Sequence, residues 1–307
     1  MRIGLFLGSS PPLPKLLGRV EQAERDGYAT VWFSNIFELD ALTVIALAGQ
    51  RTSRIELGTA VVPTYPRHPA ALAQQALSVQ AATANRLALG IGPSHQVVIE
   101  QMMGLSYARP LRHMREYVGA LNALLGGQAA RVAGELYNIR MQLAVPGATP
   151  PPVLIAALRP QMLQLAGQLA GGTITWMGGP KYLEEMAIPT MSQAARDAGR
   201  PAPRVVAGLP IAVTSNPESA RRAASRIWAD YAALPAYRAV LDIEGAAGAA
   251  DIALIGDVAG VEQRLAHLAA IGVTDLAATI FDIPEDPGAH ERTYGFLAGL
   301  ATSGSWA

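Results

Sequence analysis

The chain contains no cysteine. Disulfides, thiolate metal sites and cysteine nucleophiles are therefore excluded. Histidine is sparse: there are five, scattered, with no pair at HxH or HExxH spacing, so no metal site is expected. Charge is low and balanced. Only 16% of residues are charged, and 24 basic side chains are matched by 24 acidic ones. A nucleic-acid partner needs clustered Lys and Arg. The densest basic run, Arg109 to Arg115, is short, opens a helix pattern and reads as a solvated face. No apolar run reaches the ~18 residues that span a bilayer, and Ile3 to Leu7 is too short for a signal-peptide core. The expectation is a cytoplasmic protein with neither a membrane nor a nucleic-acid partner.

Hydrophobic residues make up 50% of the 307, enough for a large core. Ile3–Leu7 reads as a buried first strand, and Leu13, Leu16, Leu17, Val20 and Ala23 then recur at helical spacing up to Gly27, where a C-terminal cap belongs. The same alternation repeats along the chain. Strands are expected at 30–33, 55–62, 87–91, 153–157, 173–176, 205–214 and 274–281, with helix patterns between them. Asp40 and Asp257 are placed to cap two of those helices. Continuous rather than alternating apolar strands imply burial on both faces, as in parallel sheets. Residues 126–152 break the pattern and read as an insertion with a small hairpin around Arg131 to Ile139; residues 236–250, rich in Gly and Ala, read as a mobile loop or frayed helix. The fold class expected is α/β: a single (β/α)8 TIM barrel over residues 1–307 with an insertion around 126–152. A doubly wound sheet competes, but no GxGxxG follows the first strand.

In a barrel the active site lies at the carboxyl ends of the strands. Those ends read Gly8-Ser9, Ser34-Asn35-Ile36, Ala60-Val61-Val62-Pro63, Gly92-Pro93-Ser94-His95, Ala156-Ala157-Leu158-Arg159, Thr175-Trp176, Val213-Thr214 and Phe281-Asp282. The rim is poor in acids and bases. It suits a planar cofactor that carries its own chemistry, not a hydrolase, which needs a nucleophile–base pair or paired carboxylates.

Trp32-Phe33-Ser34-Asn35, Thr52 to Val61, Arg67-His68-Pro69-Ala70, Arg86 to Gly92, Leu165-Ala166-Gly167 and Ala170 to Ile174 together resemble the luciferase-like monooxygenase superfamily. The resemblance covers nearly the whole chain and is most specific over 52–95. Within the superfamily the chain is most similar to the branch that uses coenzyme F420, often labelled methylenetetrahydromethanopterin reductase-like. The resemblance implies a TIM barrel with an insertion, a homodimer, and a deazaflavin (F420) or FMN cofactor. It implies a non-prolyl cis peptide at Ala60–Val61 behind the cofactor ring, where the residues alone read as ordinary strand. It further implies cofactor contacts from Asn35, from Gly92, Pro93 and Ser94, from Ala156, Ala157, Leu158 and Arg159 at a helix start suited to a phosphate, and from Thr175 and Trp176. Members that oxidise sugar phosphates carry Asp-His where this chain has Asn35-Ile36, and a glutamate near the position of His95. His95 therefore stands either as the catalytic proton donor or as a cofactor contact. The expected activity is hydride transfer between F420 and an unidentified small organic substrate, in the direction of reduction. An FMN-dependent monooxygenase fed by a separate reductase and a non-catalytic flavin-binding barrel are the alternatives.

Overall fold

Twelve strands are present in the computed structural model, which describes residues 1–303. They are β1 (Arg2–Phe6), β2 (Thr30–Phe33), β3 (Glu56–Thr59), β4 (Val62–Pro63), β5 (Leu87–Gly92), β6 (Ala130–Ala133), β7 (Asn138–Met141), β8 (Val153–Ile155), β9 (Gly172–Trp176), β10 (Arg204–Val213), β11 (Leu254–Gly256) and β12 (Asp275–Ile280). Residues 304–307, the end of the expected domain, lie outside the described residues.

Eight strands close a parallel barrel in the order β12-β1-β2-β3-β5-β8-β9-β10 and back to β12. The closure is a continuous ladder, with Gly4 opposite Ala277 across β1–β12 and Val206 opposite Ile174 across β10–β9. Strands β2 and β5 are buried along their whole length, as their unbroken apolar runs predict. Helices between strands cover the outside. Their starts are set by side chains that satisfy open backbone donors. Asp40 accepts the Thr43 N–H at 2.9 Å and Asp257 the Gly260 N–H at 2.8 Å, both at the helix starts read from sequence. Gly27 adopts φ +85° just past Asp26, the C-cap of Leu13–Arg25, a backbone state that favours glycine.

Two readings need correction. The run 55–62 is not one strand: β3 stops at Thr59, the Ala60–Val61 peptide bond is cis, and β4 resumes at Val62 to pair with β5. Residues 236–250 are largely helical, not a loop. Helices Pro235–Glu244 and Ala249–Ile252 form there, because Tyr237, Leu241, Ala249 and Ile252 share an apolar cluster with Met177 at the end of β9. The short strand β11 extends β10 at its carboxyl end; three residues carry too little periodicity to be read. The hairpin β6–β7 stands where it was expected in the insertion.

The amino-terminal end of the barrel is plugged by charge. Arg204 donates to Glu56 at 2.6 Å and to both Asp275 oxygens at 2.6 and 2.8 Å. Arg2 joins from β1, 3.3 Å from Glu56 and 3.5 Å from Asp275. Burial works against the Arg204 charge, but the two carboxylates hold its pKa above the ordinary arginine value.

Candidate active site at the barrel mouth

Side chains fill the barrel lumen in layers. Trp32, Ala88, Leu154, Ile174, Val206 and Ala277 form a buried layer above the ionic plug. Trp32 fits because β3 offers Gly58 opposite it: a Cβ there would come within 2.2 Å of the indole. The next layer up is different. Phe6, Ala60 and Val61 pack on the buried layer but are only partly covered. Phe6 stacks on the half-buried Trp176, with ring centroids 5.7 Å apart and planes at 24°. Because β1 and β9 are not neighbours in the barrel, this pair meets across the mouth. The lumen thus ends in a shallow apolar floor open at the carboxyl ends of the strands. Covering such a floor is worth roughly 25 cal/mol per Å².

The rim residues divide by how far their polar groups are already used. The Asn35 side-chain oxygen accepts the Ala41 N–H at 3.0 Å and holds the start of helix Ala41–Gly49. Its neighbour Ile36 is 53% exposed. At the end of β5 the Gly92 carbonyl accepts from both the Thr64 N–H (2.9 Å) and the Thr64 hydroxyl (3.2 Å). Pro93, Ser94 and His95 follow, half-buried, with Ser94 at φ +61° and its carbonyl accepting the Tyr107 hydroxyl at 3.1 Å. Ala156 is half-buried and Ala157 sealed. The Leu158 carbonyl accepts the Tyr182 hydroxyl at 2.9 Å. Arg159 is exposed at the N-cap of helix Pro160–Leu169. That helix start is narrower as an anion site than its sequence suggests, because the Met162 and Leu163 N–H groups already turn back onto the Arg159 carbonyl, at 3.0 Å each. Thr175 is buried, with its hydroxyl 3.4 Å from the Val206 carbonyl and so occupied between strands. The Trp176 indole N–H is buried and completes no hydrogen bond; it lies near the Tyr231 hydroxyl, whose pKa burial raises against a smaller opposing pull from that indole.

His95 sits on the rim, its ring 5.9 Å from that of Tyr237. Its imidazole makes no hydrogen bond among the described residues. Burial lowers its pKa, so the neutral form dominates at pH 7.

Beside β4 and β5 lies a cluster that the sequence reading missed. His113 is 3% exposed, which corrects the reading of 109–115 as a solvated face at His113 and Met114; the arginines Arg109, Arg112 and Arg115 are exposed as read, the first two pairing with Glu135. The His113 ring stacks on Tyr65 at 3.8 Å, with Nε2 2.8 Å from the Thr64 hydroxyl and Nδ1 3.3 Å from the Tyr137 hydroxyl. The signal was its spacing with Met114, Tyr117, Val118 and Leu121 on one helix face. Burial pushes its pKa down to about 4, against a small opposing pull from Glu116. The unfolded chain, at about 6.5, then binds the proton more tightly than the folded one. Folding stability is therefore unaffected by His113 above that value and falls with pH below it, by about 2 kcal/mol between pH ~7 and pH ~5. Urea melts at the two pH values check this: the difference shrinks by that amount in His113→Gln, and an unchanged difference refutes the assignment.

A family model described as luciferase-like monooxygenase matches residues 1–280. A methylenetetrahydromethanopterin reductase of Methanolobus tindarius is 28% identical over 201 residues, which are 65% of this chain and 61% of that reductase. The chain's match thus spans less than two thirds of that relative's length. A coenzyme F420-dependent tetrahydromethanopterin reductase from Methanopyrus kandleri superposes with a TM-score of 0.77, covering 97% of this chain and 96% of that one at 19% identity. The oxygenating constituent of a diketocamphane monooxygenase from Pseudomonas putida, solved with FMN, gives a TM-score of 0.75 at 16% identity, with 97% of each chain covered. At such identities the structural likeness concerns the fold.

Proposed function

Because the chain belongs to the luciferase-like monooxygenase family, we propose that it moves hydride between coenzyme F420 and a small organic substrate, acting as an F420H2-dependent reductase. The observation that carries this reading is the partly covered apolar floor of Phe6, Ala60, Val61 and Trp176 at the carboxyl ends of the strands. A flat deazaflavin ring fits such a floor, and the unpartnered Trp176 N–H fits a polar ring edge. Ala60 and Val61 would back the ring. Gly92, Pro93 and Ser94 would meet the cofactor side chain through backbone. Asn35 would contribute through its amide nitrogen, since its oxygen is occupied. Ala156, Ala157, Leu158 and Arg159 would hold the phosphate end, chiefly through the Arg159 charge, and Thr175, bonded to the Val206 carbonyl, would fix the end of β9 that carries Trp176. The bound deazaflavin supplies the hydride.

Reduction of a C=C, C=N or C=O bond also needs a proton, and His95, the half-buried imidazole after β5, is the rim group proposed to hold it. Donation requires the imidazolium. Since burial lowers its pKa, kcat should fall as pH rises through a value below about 6.5. In His95→Ala that limb disappears and kcat drops about a hundredfold. A raised KM with the pH limb intact would make His95 a cofactor contact only.

The reading carries with it one domain per chain, a homodimer and a cytoplasmic location. FMN is the second reading. The same apolar floor accepts an isoalloxazine ring, and a structural neighbour holds FMN on this fold. The coenzyme F420-dependent reductase that shares the fold supports the first.

A further inference from the structure

Residues 228–252 form a cap over one side of the mouth, and its inner face is aromatic. The cap comprises a 3-10 turn (Ala229–Ala233) and the helices Pro235–Glu244 and Ala249–Ile252. Trp228 meets Phe281, at the end of β12, edge to face at 5.2 Å, and Trp176, at the end of β9, at 6.0 Å. Tyr231 lies 6.1 Å from Trp176 and 5.0 Å from Tyr237, and Tyr237 reaches His95. The aromatic wall thus runs from the floor ring Trp176 to the His95 imidazole. Trp176, Trp228 and Tyr231 are each half-buried, so aromatic surface stays open beside the floor.

The same cap offers nothing to an anion. Its one cationic residue, Arg238, is spent: it donates to Asp242 at 2.8 Å and to the Ala246 and Ala247 carbonyls at 2.7 and 3.1 Å. Its carboxylates Asp230, Asp242, Glu244 and Asp251 would repel one. Of these, Glu244 is turned to the Tyr182 N–H at the cap's base (2.6 Å) and Asp251 to the Ala247 and Gly248 N–H groups.

We propose that the substrate is an uncharged, flat ring compound bearing one reducible C=C or C=O group, held against Trp176, Trp228 and Tyr231, and that phosphorylated or carboxylated compounds are excluded. This rests on the reading of the mouth as the cofactor-bearing active site. Aromatic faces bind planar apolar rings through offset and edge contacts, while an anion brought there would lose its hydration without gaining a cation. In the reductive direction, two electrons and one proton pass as hydride from F420H2 to the ring compound. The second proton comes from the imidazolium of His95; oxidised F420 is released, and the proton it sheds on oxidation passes to solvent, from which His95 is recharged.

The test separates binding from turnover. Equilibrium dialysis of naphthoquinone, cyclohexenone and glucose phosphate is run against the full chain, with and without F420, alongside an F420 titration of the same samples. Saturable binding of the two ring compounds, with none of glucose phosphate, is expected. Trp228→Ala and Tyr231→Ala should each weaken naphthoquinone binding about tenfold or more, and Trp228→Phe should restore most of it, with F420 affinity unchanged throughout. Glucose phosphate binding above the quinone, or Trp228→Ala binding quinone as the parent does, overturns the proposal. Failure of F420 to bind while the ring compounds do would leave the aromatic site standing and sink the cofactor reading instead.

Discussion

Gly90→Ala should destabilise the protein by about 3 kcal/mol or more and abolish cofactor binding. Gly90 lies in β5, opposite the turn that links β3 to β4. A Cβ at this position would stand 2.0 Å from the Thr59 carbonyl oxygen and 3.1 Å from the Val61 side chain. The nearest atom is backbone, so no rotamer change relieves the contact. The Thr59 hydroxyl also donates to the Gly90 carbonyl at 2.7 Å, so the two strands cannot separate without losing a buried hydrogen bond. Any relaxation moves Ala60 and Val61, the residues assigned to the back of the ring. Gly119 is the control. It lies exposed in helix Pro110–Leu125 with nothing within 4 Å of a built Cβ, so Gly119→Ala should stabilise by about 0.5–1 kcal/mol. Thermal melts and cofactor titrations of the pair check both statements. Normal stability in Gly90→Ala would mean that the approach of β5 to Thr59 is not what holds the turn.

Arg204→Met is expected to cost about 3 kcal/mol at the opposite end of the barrel. Asp275 is 2% exposed and Arg204 is its closest cationic partner. Removing the guanidinium leaves a buried carboxylate supported only by the Thr274 hydroxyl at 2.7 Å and by Arg2 at 3.5 Å. That residual support places the loss at the lower end of the range for broken buried pairs. The guanidinium also lies over the Trp32 ring, 5.4 Å from its centroid, so its loss loosens the buried layer beneath the site. Replacing Asp275 by Leu in the same chain should recover part of the stability, because the uncompensated charge is then gone. Chemical denaturation of the single and double variants decides it; equal losses in both would assign the cost to packing rather than to charge.

The barrel was legible because its strands are short apolar runs buried on both faces, punctuated by Gly27, Asp40 and Asp257 at helix ends. These signals are local, and local signals survive in a single sequence. The cap was not legible. Its Ala- and Gly-rich stretch has weak periodicity, and its order comes from contacts with Met177 and Trp176, far away in the chain. His113 was hidden by its basic neighbours, since charge on either side of a residue says little about which helix face it occupies. The candidate site was half legible. The carboxyl-end rule places Ala60, Gly92, Ala156 and Trp176 together, but it cannot say that Thr175 is spent between strands or that Met162 and Leu163 already satisfy the helix start. Those facts depend on register and on hydrogen-bond partners, which residue types alone do not carry.

Cofactor choice is the point on which the account turns. Titrating the purified protein with F420 and with FMN, following quenching of cofactor fluorescence, measures it directly. The account predicts saturable quenching of F420 at one equivalent per chain, in the micromolar range, with FMN bound far more weakly. Micromolar binding of FMN by a protein that leaves F420 fluorescence untouched would contradict it.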